Sequence, residues 1–355
     1  MRIEARWYTM QRGSAHCQLC PHLCLVAEGH KGRCQTRGMQ GGHLWALNYA
    51  QLCALQVDTI EKKPLYHFRP GARTLSVGTF GCNLDCAFCQ NYELALPVGP
   101  VPADTVTPES LLGLARAKNA EVIAFTFNEP SVWAEYVIDA AHLARAGGVG
   151  TMINSNGYIH GRARRDLLNA VDAVKVDIKA FSEEGYRRLC GGELQPVLET
   201  CRVAVELGKH LEVAYPLIKG ENDAPVEVAA LGEFLAREIG VDVPVHLFRF
   251  HPYYRMSSAA ETTIEDMENA RAALLREGIR FVYFGGTVGG LHQDTACPEC
   301  GTVLVTRKVK EEGEKVFVQQ EQMSRFCPSF AEARCYLHGD RCPHCNSRIY
   351  GIWSK

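Results

Sequence analysis

The stretch Thr74-Leu75-Ser76-Val77-Gly78-Thr79-Phe80-Gly81-Cys82-Asn83-Leu84-Asp85-Cys86-Ala87-Phe88-Cys89-Gln90-Asn91 runs an apolar segment directly into three cysteines. Residues 74–80 read as a strand buried on both faces, because the apolar character is nearly continuous. The cysteines follow at C-x3-C-x2-C spacing. Three thiolates can hold three irons of a [4Fe–4S] cubane and leave the fourth open, whereas a cluster kept wholly by its protein takes four cysteines. Two plainer readings compete. One is part of a zinc site, which would want a fourth ligand. The other is a set of ordinary buried thiols. The spacing favours the cluster.

Outward from this stretch, apolar runs recur at residues 121–127, 150–154, 173–178, 210–216 and 244–250, and helix-like segments lie between them at 108–118, 131–146, 161–170, 194–207 and 225–239. This alternation is the pattern of a parallel β/α fold. Thr107-Pro108-Glu109 is a helix start with Thr as N-cap and Pro at N1, and Ala146-Gly147-Gly148 is a helix stop. Six strand–helix units predict an α/β protein built as a partial (β/α)6 TIM-like barrel. A helix over 263–277 then leads to a closing or seventh strand at 280–284. An open doubly wound sheet is less favoured, because no G-x-G-x-x-G turn follows the first strand. In such barrels chemistry sits at the C-terminal strand ends, and the cysteine triplet follows strand one directly.

With the aromatic Phe88 before its last cysteine, the triplet resembles the signature of radical SAM enzymes, in which S-adenosylmethionine (SAM) occupies the open iron. Polar residues at the other strand ends then become candidates. Glu129 can accept from the SAM amino group and Asn128 can orient it, although either also suits a helix cap. Asn154 and Asn156 can bind the ligand or shape a turn. Asp177 and Lys179 alternate onto one strand face, where opposite charges must pair or meet a ligand such as the SAM carboxylate and ribose. His251 can stack on adenine, donate to SAM or cap the rim. These segments, in this order, resemble activases of glycyl-radical enzymes. The AmmeMemoRadiSam-system radical SAM enzymes fit more closely, through Cys17-x-x-Cys20-Pro21-His22-x-Cys24, Gly29-His30-Lys31-Gly32-Arg33-Cys34, Leu65-Tyr66-His67-Phe68-Arg69-Pro70-Gly71 and Tyr350-Gly351-Ile352-Trp353. The resemblance implies a radical SAM barrel encoded beside Memo-like and AMMECR-like proteins, with no substrate. It departs at residues 308–339, which carry Cys327 and Cys335, and at residues 285–290.

The chain has 355 residues, sixteen of them cysteine, and a formal net charge of -2. Eleven cysteines fall into three groups, which argues for metal rather than disulfides. Cys297-Pro298-Glu299-Cys300 and Cys342-Pro343-His344-Cys345 read as two knuckles of a zinc ribbon, preferred over a rubredoxin-like iron site. Cys17, Cys20, Cys24 and Cys34 suit structural zinc, which is preferred, or an auxiliary [4Fe–4S] cluster. Cys190 reads as a buried thiol. Near-neutral charge speaks against a nucleic-acid partner, and the basic run Arg307-Lys308-Val309-Lys310 and the arginines Arg162, Arg164 and Arg165 read as solvated faces. The start lacks an apolar run and no stretch is long enough to span a bilayer, so a cytoplasmic location without membrane association is expected.

The expected organisation is a cysteine-rich segment over 1–70, the radical SAM barrel over 71–290 and a zinc-ribbon-like domain over 291–355. The expected activity is reductive cleavage of SAM to a 5′-deoxyadenosyl radical that abstracts hydrogen from an unidentified substrate. The electron comes from a flavodoxin- or ferredoxin-type donor. The alternatives are a glycyl-radical-enzyme activase acting on a protein glycine, and a zinc-ribbon binding or RNA-modifying protein.

Overall fold

The computed structural model of the protein describes residues 1–286, 290–309 and 330–353. The alternating apolar runs and helices form an α/β fold around one eight-stranded sheet. In chain order its strands are β1 (Ala54–Thr59), β2 (Arg73–Gly78), β3 (Val122–Phe125), β4 (Gly150–Ser155), β5 (Ala173–Asp177), β6 (His210–Leu217), β7 (Val245–Arg249) and β8 (Val282–Gly285). Strands consecutive in sequence are neighbours in the sheet. β2 to β8 run parallel, and β1 pairs antiparallel with β2 at one edge. The sheet is open between β8 and β1 among the described residues. The seventh parallel strand, β8, lies where a closing or seventh strand was expected at 280–284, and the sheet also takes in β1 from within residues 1–70.

Besides a single helical turn at Tyr92–Ala95, the helices among the described residues are α1 (Pro108–Ala117), α2 (Ala134–Ala146), α3 (Gly161–Ala170), α4 (Glu183–Cys190), α5 (Gln195–Glu206), α6 (Pro225–Phe234) and α7 (Ile264–Arg276). Thr107 caps α1 by accepting from Ser110 N, with Pro108 in the first turn. The single helix expected over 131–146 is split. Pro130–Trp133 is a 3-10 turn capped by the Glu129 side chain, and α2 starts at Ala134.

The N-terminal ends of the strands are closed by the run Leu65-Tyr66-His67-Phe68, which is buried throughout. Its backbone is held by Glu212 on β6, which accepts from Tyr66 N at 2.9 Å and His67 N at 2.8 Å. The same carboxylate lies 2.9 Å from His210 Nε2 and 2.6 Å from His246 Nε2. Burial opposes ionisation of Glu212, but the hydrogen bonds from His210 and His246 outweigh it and hold the carboxyl well below its usual range. Burial lowers His67 to about 3. An unfolded histidine takes a proton near pH ~6.5, and an unfolded glutamate near ~4.3. The folded state therefore binds fewer protons on both groups, and acid costs stability from about pH 6.5 downward. The thermal midpoint should be flat between about pH 7 and 8 and fall steadily between about pH 6.5 and 4; a midpoint constant across the acid range would refute this account.

Two readings of the basic residues are corrected. Arg307 is fully buried rather than solvated: it donates to Gln293 O, Thr295 Oγ1 and the Tyr66 carbonyl, and its guanidinium lies 4.1 Å from the centre of the Tyr66 ring. Its strand, Val303–Val309, docks against the closing run, so the side chain points inward. Arg164 on α3 is also buried and donates to the carbonyls of Ile159 and Pro196. The C-terminal part adds a three-stranded antiparallel sheet of Thr295–Ala296, Val303–Val309 and Phe330–Cys335. Cys327 lies outside the described residues. Among the described residues no helix is long and apolar enough to cross a membrane.

Candidate active site

The loop after β2 is shaped by its packing. Gly81 has φ +90°, and a Cβ there would stand 2.6 Å from the Cys34 carbonyl oxygen and 2.4 Å from Thr36 Cγ2, so only glycine fits. Asn83 is buried, donates to Tyr158 O at 2.7 Å and accepts from Asn156 Nδ2 at 2.8 Å. The same Asn156 nitrogen lies 3.7 Å from Cys82 Sγ, and Leu84 N donates to that sulfur at 3.4 Å. Asp85 N and Ala87 N donate to the carbonyls of Cys190 and Leu189, clipping the loop to the end of α4. Asn83 was not singled out from sequence, because an asparagine between two cysteines carries no pattern of its own.

At the C-terminal ends of the strands lies a cavity of about 270 Å³. Cys82, Cys86, Cys89, Phe88, Asn128, Glu129, Asn154, Asn156, Asp177, Lys179 and His251 all line it. Their tasks differ. Asn128 accepts from Thr79 N at 3.2 Å and donates to Gly81 O at 2.8 Å, so it holds the cysteine loop. Glu129 accepts from Ser131 N, Ser155 Oγ and Asn156 N; a carboxylate has about four acceptor positions, so about one remains. Asn154 Oδ1 is buried with no hydrogen-bond partner. Asp177 sits between Lys175 at 3.1 Å and Lys179 at 3.5 Å. His251 pairs with Glu261. Lys62, Lys63, Lys175 and Arg249 also line the cavity. Lys175 shares the alternation of Asp177 and Lys179 and was legible from it; Lys62 and Lys63 arrive from a turn outside the strands and had no such signal.

Burial pushes the Cys82 thiol well up, with Glu129 adding to it, and pushes Cys89 up to about 12. A side-chain hydrogen bond from Cys190 lowers Cys86. Burial opposes the charge on Lys179, but Asp177 and the nearby thiols of Cys86, Cys190 and Cys89 reverse this and raise it. Buried thiols of this kind lose their protons to a bound metal. Three soft sulfur donors beside a lysine and an unsatisfied amide oxygen fit an iron–sulfur cluster with a polar ligand above it.

The remaining cysteines do not line this cavity. Cys297, Cys300, Cys342 and Cys345 have all four sulfurs within 4.8 Å of one another, with Cys297–Cys345 at 3.6 Å and Cys300–Cys342 at 3.7 Å. Cys17, Cys20 and Cys34 are buried and Cys24 is half-buried. Cys190 is fully buried, and Cys335 is exposed at the end of its strand.

The sequence matches the Radical SAM superfamily over residues 76–231. A relative from Methanocaldococcus jannaschii, itself uncharacterised, is 35% identical over 308 residues, covering 86% of this chain and 92% of that protein. The pyruvate formate-lyase-activating enzyme of Clostridium pasteurianum is 24% identical over 53% of this chain and 81% of its own length. Among solved structures, a radical SAM methyltransferase from Sphaerobacter thermophilus aligns at 18% identity with a TM-score of 0.48, over 66% of this chain and 71% of that one. The family match over residues 76–231, the similarity to a pyruvate formate-lyase-activating enzyme and a cysteine triplet at a strand end lead to one conclusion: the chain belongs to the radical SAM superfamily of enzymes.

Proposed function

We propose that Cys82, Cys86 and Cys89 hold a [4Fe–4S] cluster, that SAM binds in the strand-end cavity, and that a substrate held beside it loses a hydrogen atom. The supporting observation is that the triplet and every strand-end residue named from sequence line the same cavity. When bound, the cluster and SAM supply the radical chemistry, by one-electron cleavage of the sulfonium to a 5′-deoxyadenosyl radical. The chain binds and shields. The remaining acceptor position of Glu129 suits the SAM ammonium, Lys179 suits its carboxylate, and Asp177 with the open Asn154 Oδ1 suits the ribose hydroxyls. The stacked rings of Tyr92 and Tyr254, 4.3 Å apart, lie beside the cysteine loop, where they would keep out water.

The finer assignments belong to the same reading: a partial barrel, a zinc ion on Cys297, Cys300, Cys342 and Cys345, a metal centre on the N-terminal cysteines, a flavodoxin- or ferredoxin-type donor, and a place in the AmmeMemoRadiSam system with Memo-like and AMMECR-like partners. Zinc at the C-terminal four is supported by spacing, because sulfurs ~2.3 Å from one tetrahedral ion lie ~3.8 Å apart. The similarity to an activating enzyme favours, as a second reading, abstraction from a glycine of a partner protein.

The test is anaerobic reconstitution with iron and sulfide, followed by dithionite and SAM. Iron on the chain together with 5′-deoxyadenosine supports the reading, and iron without 5′-deoxyadenosine sinks it. A Lys179→Met variant should bind SAM at least ~tenfold more weakly by equilibrium dialysis, a loss of about 1.4 kcal/mol; unchanged affinity would take Lys179 out of the SAM site.

A further inference from the structure

We infer that Cys17, Cys20, Cys24 and Cys34 hold a second [4Fe–4S] cluster, placed where it can pass an electron from a flavodoxin- or ferredoxin-class donor to the Cys82 site. The inference rests on the reading of the Cys82 triplet as a cluster site.

The four cysteines are brought together by local structure. The hairpin of Tyr8–Gln11 and Ser14–Cys17 delivers Cys17, whose N–H donates to Cys24 O at 2.9 Å. Leu23 N donates to Cys20 O in the intervening turn. Gly32 lies against this turn, and a Cβ there would make ordinary contact with Cys24 Cβ at 3.7 Å and Arg37 Cβ at 3.8 Å.

The spread of the sulfurs separates a cluster from zinc. One tetrahedral ion draws its sulfurs to ~3.8 Å from each other, whereas a cubane takes each thiolate on a different iron. Among the described residues, the C-terminal four form the one group of histidine, cysteine or acidic ligands whose atoms all fall within 4.8 Å. Neither the N-terminal four nor the Cys82 triplet contains three such atoms within that distance of one another, a property these two groups share and the C-terminal four lack.

Charge adds a second observation. Arg37 is buried, with its side chain only 2% exposed, and Nη2 pairs with Glu135 at 2.6 Å. Its Nη1 is buried without a hydrogen-bond partner, beside Cys17 and Cys34, whose charges it senses. A buried guanidinium nitrogen without an acceptor is costly. A cluster on four thiolates is net negative and offers sulfur acceptors there.

The centre also abuts the triplet. Cys34 O and Thr36 press on Gly81, which precedes Cys82, and His22 Nε2 lies 2.7 Å from the Asn83 carbonyl. Leu23 and Leu25, on either side of Cys24 in the chain, are exposed, so a donor protein can reach this segment.

The test uses the full chain, reconstituted anaerobically, in three forms: unmodified, Cys82→Ala/Cys86→Ala/Cys89→Ala, and Cys17→Ala/Cys20→Ala. The expected iron contents are about eight, about four and about four per chain. The form lacking the triplet should keep a reducible cluster whose EPR signal SAM does not change. The reduced unmodified protein should show spin–spin broadening that both variants lose. Four irons with a SAM-sensitive signal in the unmodified chain, and none in the triplet-free form, would overturn the second cluster and leave the Cys82 reading intact. No iron in any form would remove both. Eight irons without broadening would overturn the electron-transfer placement. If the Cys17→Ala/Cys20→Ala protein does not fold, the triplet-free form decides alone.

Discussion

Replacing Cys82, Cys86 and Cys89 together with alanine should drop 5′-deoxyadenosine formation to background, a loss of at least ~10³-fold or about 4 kcal/mol of barrier. The cavity explains the size of the effect. Its other lining groups are amides, carboxylates, ammonium groups, the Arg249 guanidinium, the single His251 imidazole and aromatic rings, and none is a thiolate, the soft donor an iron–sulfur cluster takes. Cys190 is the nearest remaining sulfur, but it hydrogen-bonds Cys86 from behind, fully buried, and one thiol does not replace three. The measurement is iron content with chromatographic quantification of 5′-deoxyadenosine. The sheet should survive, because its core lies in β2 to β8 and the helices around them. Product formation at the unmodified level would end the cluster assignment.

On the proposed zinc assignment, a Cys342→Ser substitution should release about one zinc per chain and unfold the C-terminal three-stranded sheet, because a structural zinc site contributes on the order of 10 kcal/mol of folding free energy. The effect should spread to the eight-stranded sheet. The ribbon's tail reaches the closed ends of the strands, where the Tyr350 hydroxyl accepts from Leu211 N at 2.9 Å and Tyr350 O lies 2.6 Å from His67 Nδ1. Ile352 exchanges backbone hydrogen bonds with His67 and Arg69, and Arg307 packs on Tyr66. Losing these contacts exposes the closing run that Glu212 holds. A zinc-binding dye assay and a thermal scan read both effects. Loss of zinc with an unchanged thermal midpoint would show that the ribbon and the sheet are independent.

Much of this was legible in the chain. The period of apolar runs and helices dictated a parallel α/β sheet, because strands buried on both faces must be apolar along their length. The cysteine spacing pointed to a metal-binding loop after the first parallel strand, because local spacing sets which thiolates share one centre. Alternation put Asp177 and Lys179 on one face. These are local properties, carried by residues a few positions apart.

Other features needed the tertiary structure. Strand β1 pairs with β2 across thirteen intervening positions and has no apolar run to announce it. Arg307 looks like a surface charge in a basic run, and only docking of its strand on Tyr66 buries it. Lys62 and Lys63 reach the cavity from a turn, and Asn83 joins Cys82 to Asn156 through side-chain contacts between distant segments. The pairs Cys297/Cys300 and Cys342/Cys345 lie far apart in the chain, and only the folding of the C-terminal strands brings their four sulfurs within 4.8 Å of one another, because a contact between distant segments is set by packing and not by local spacing.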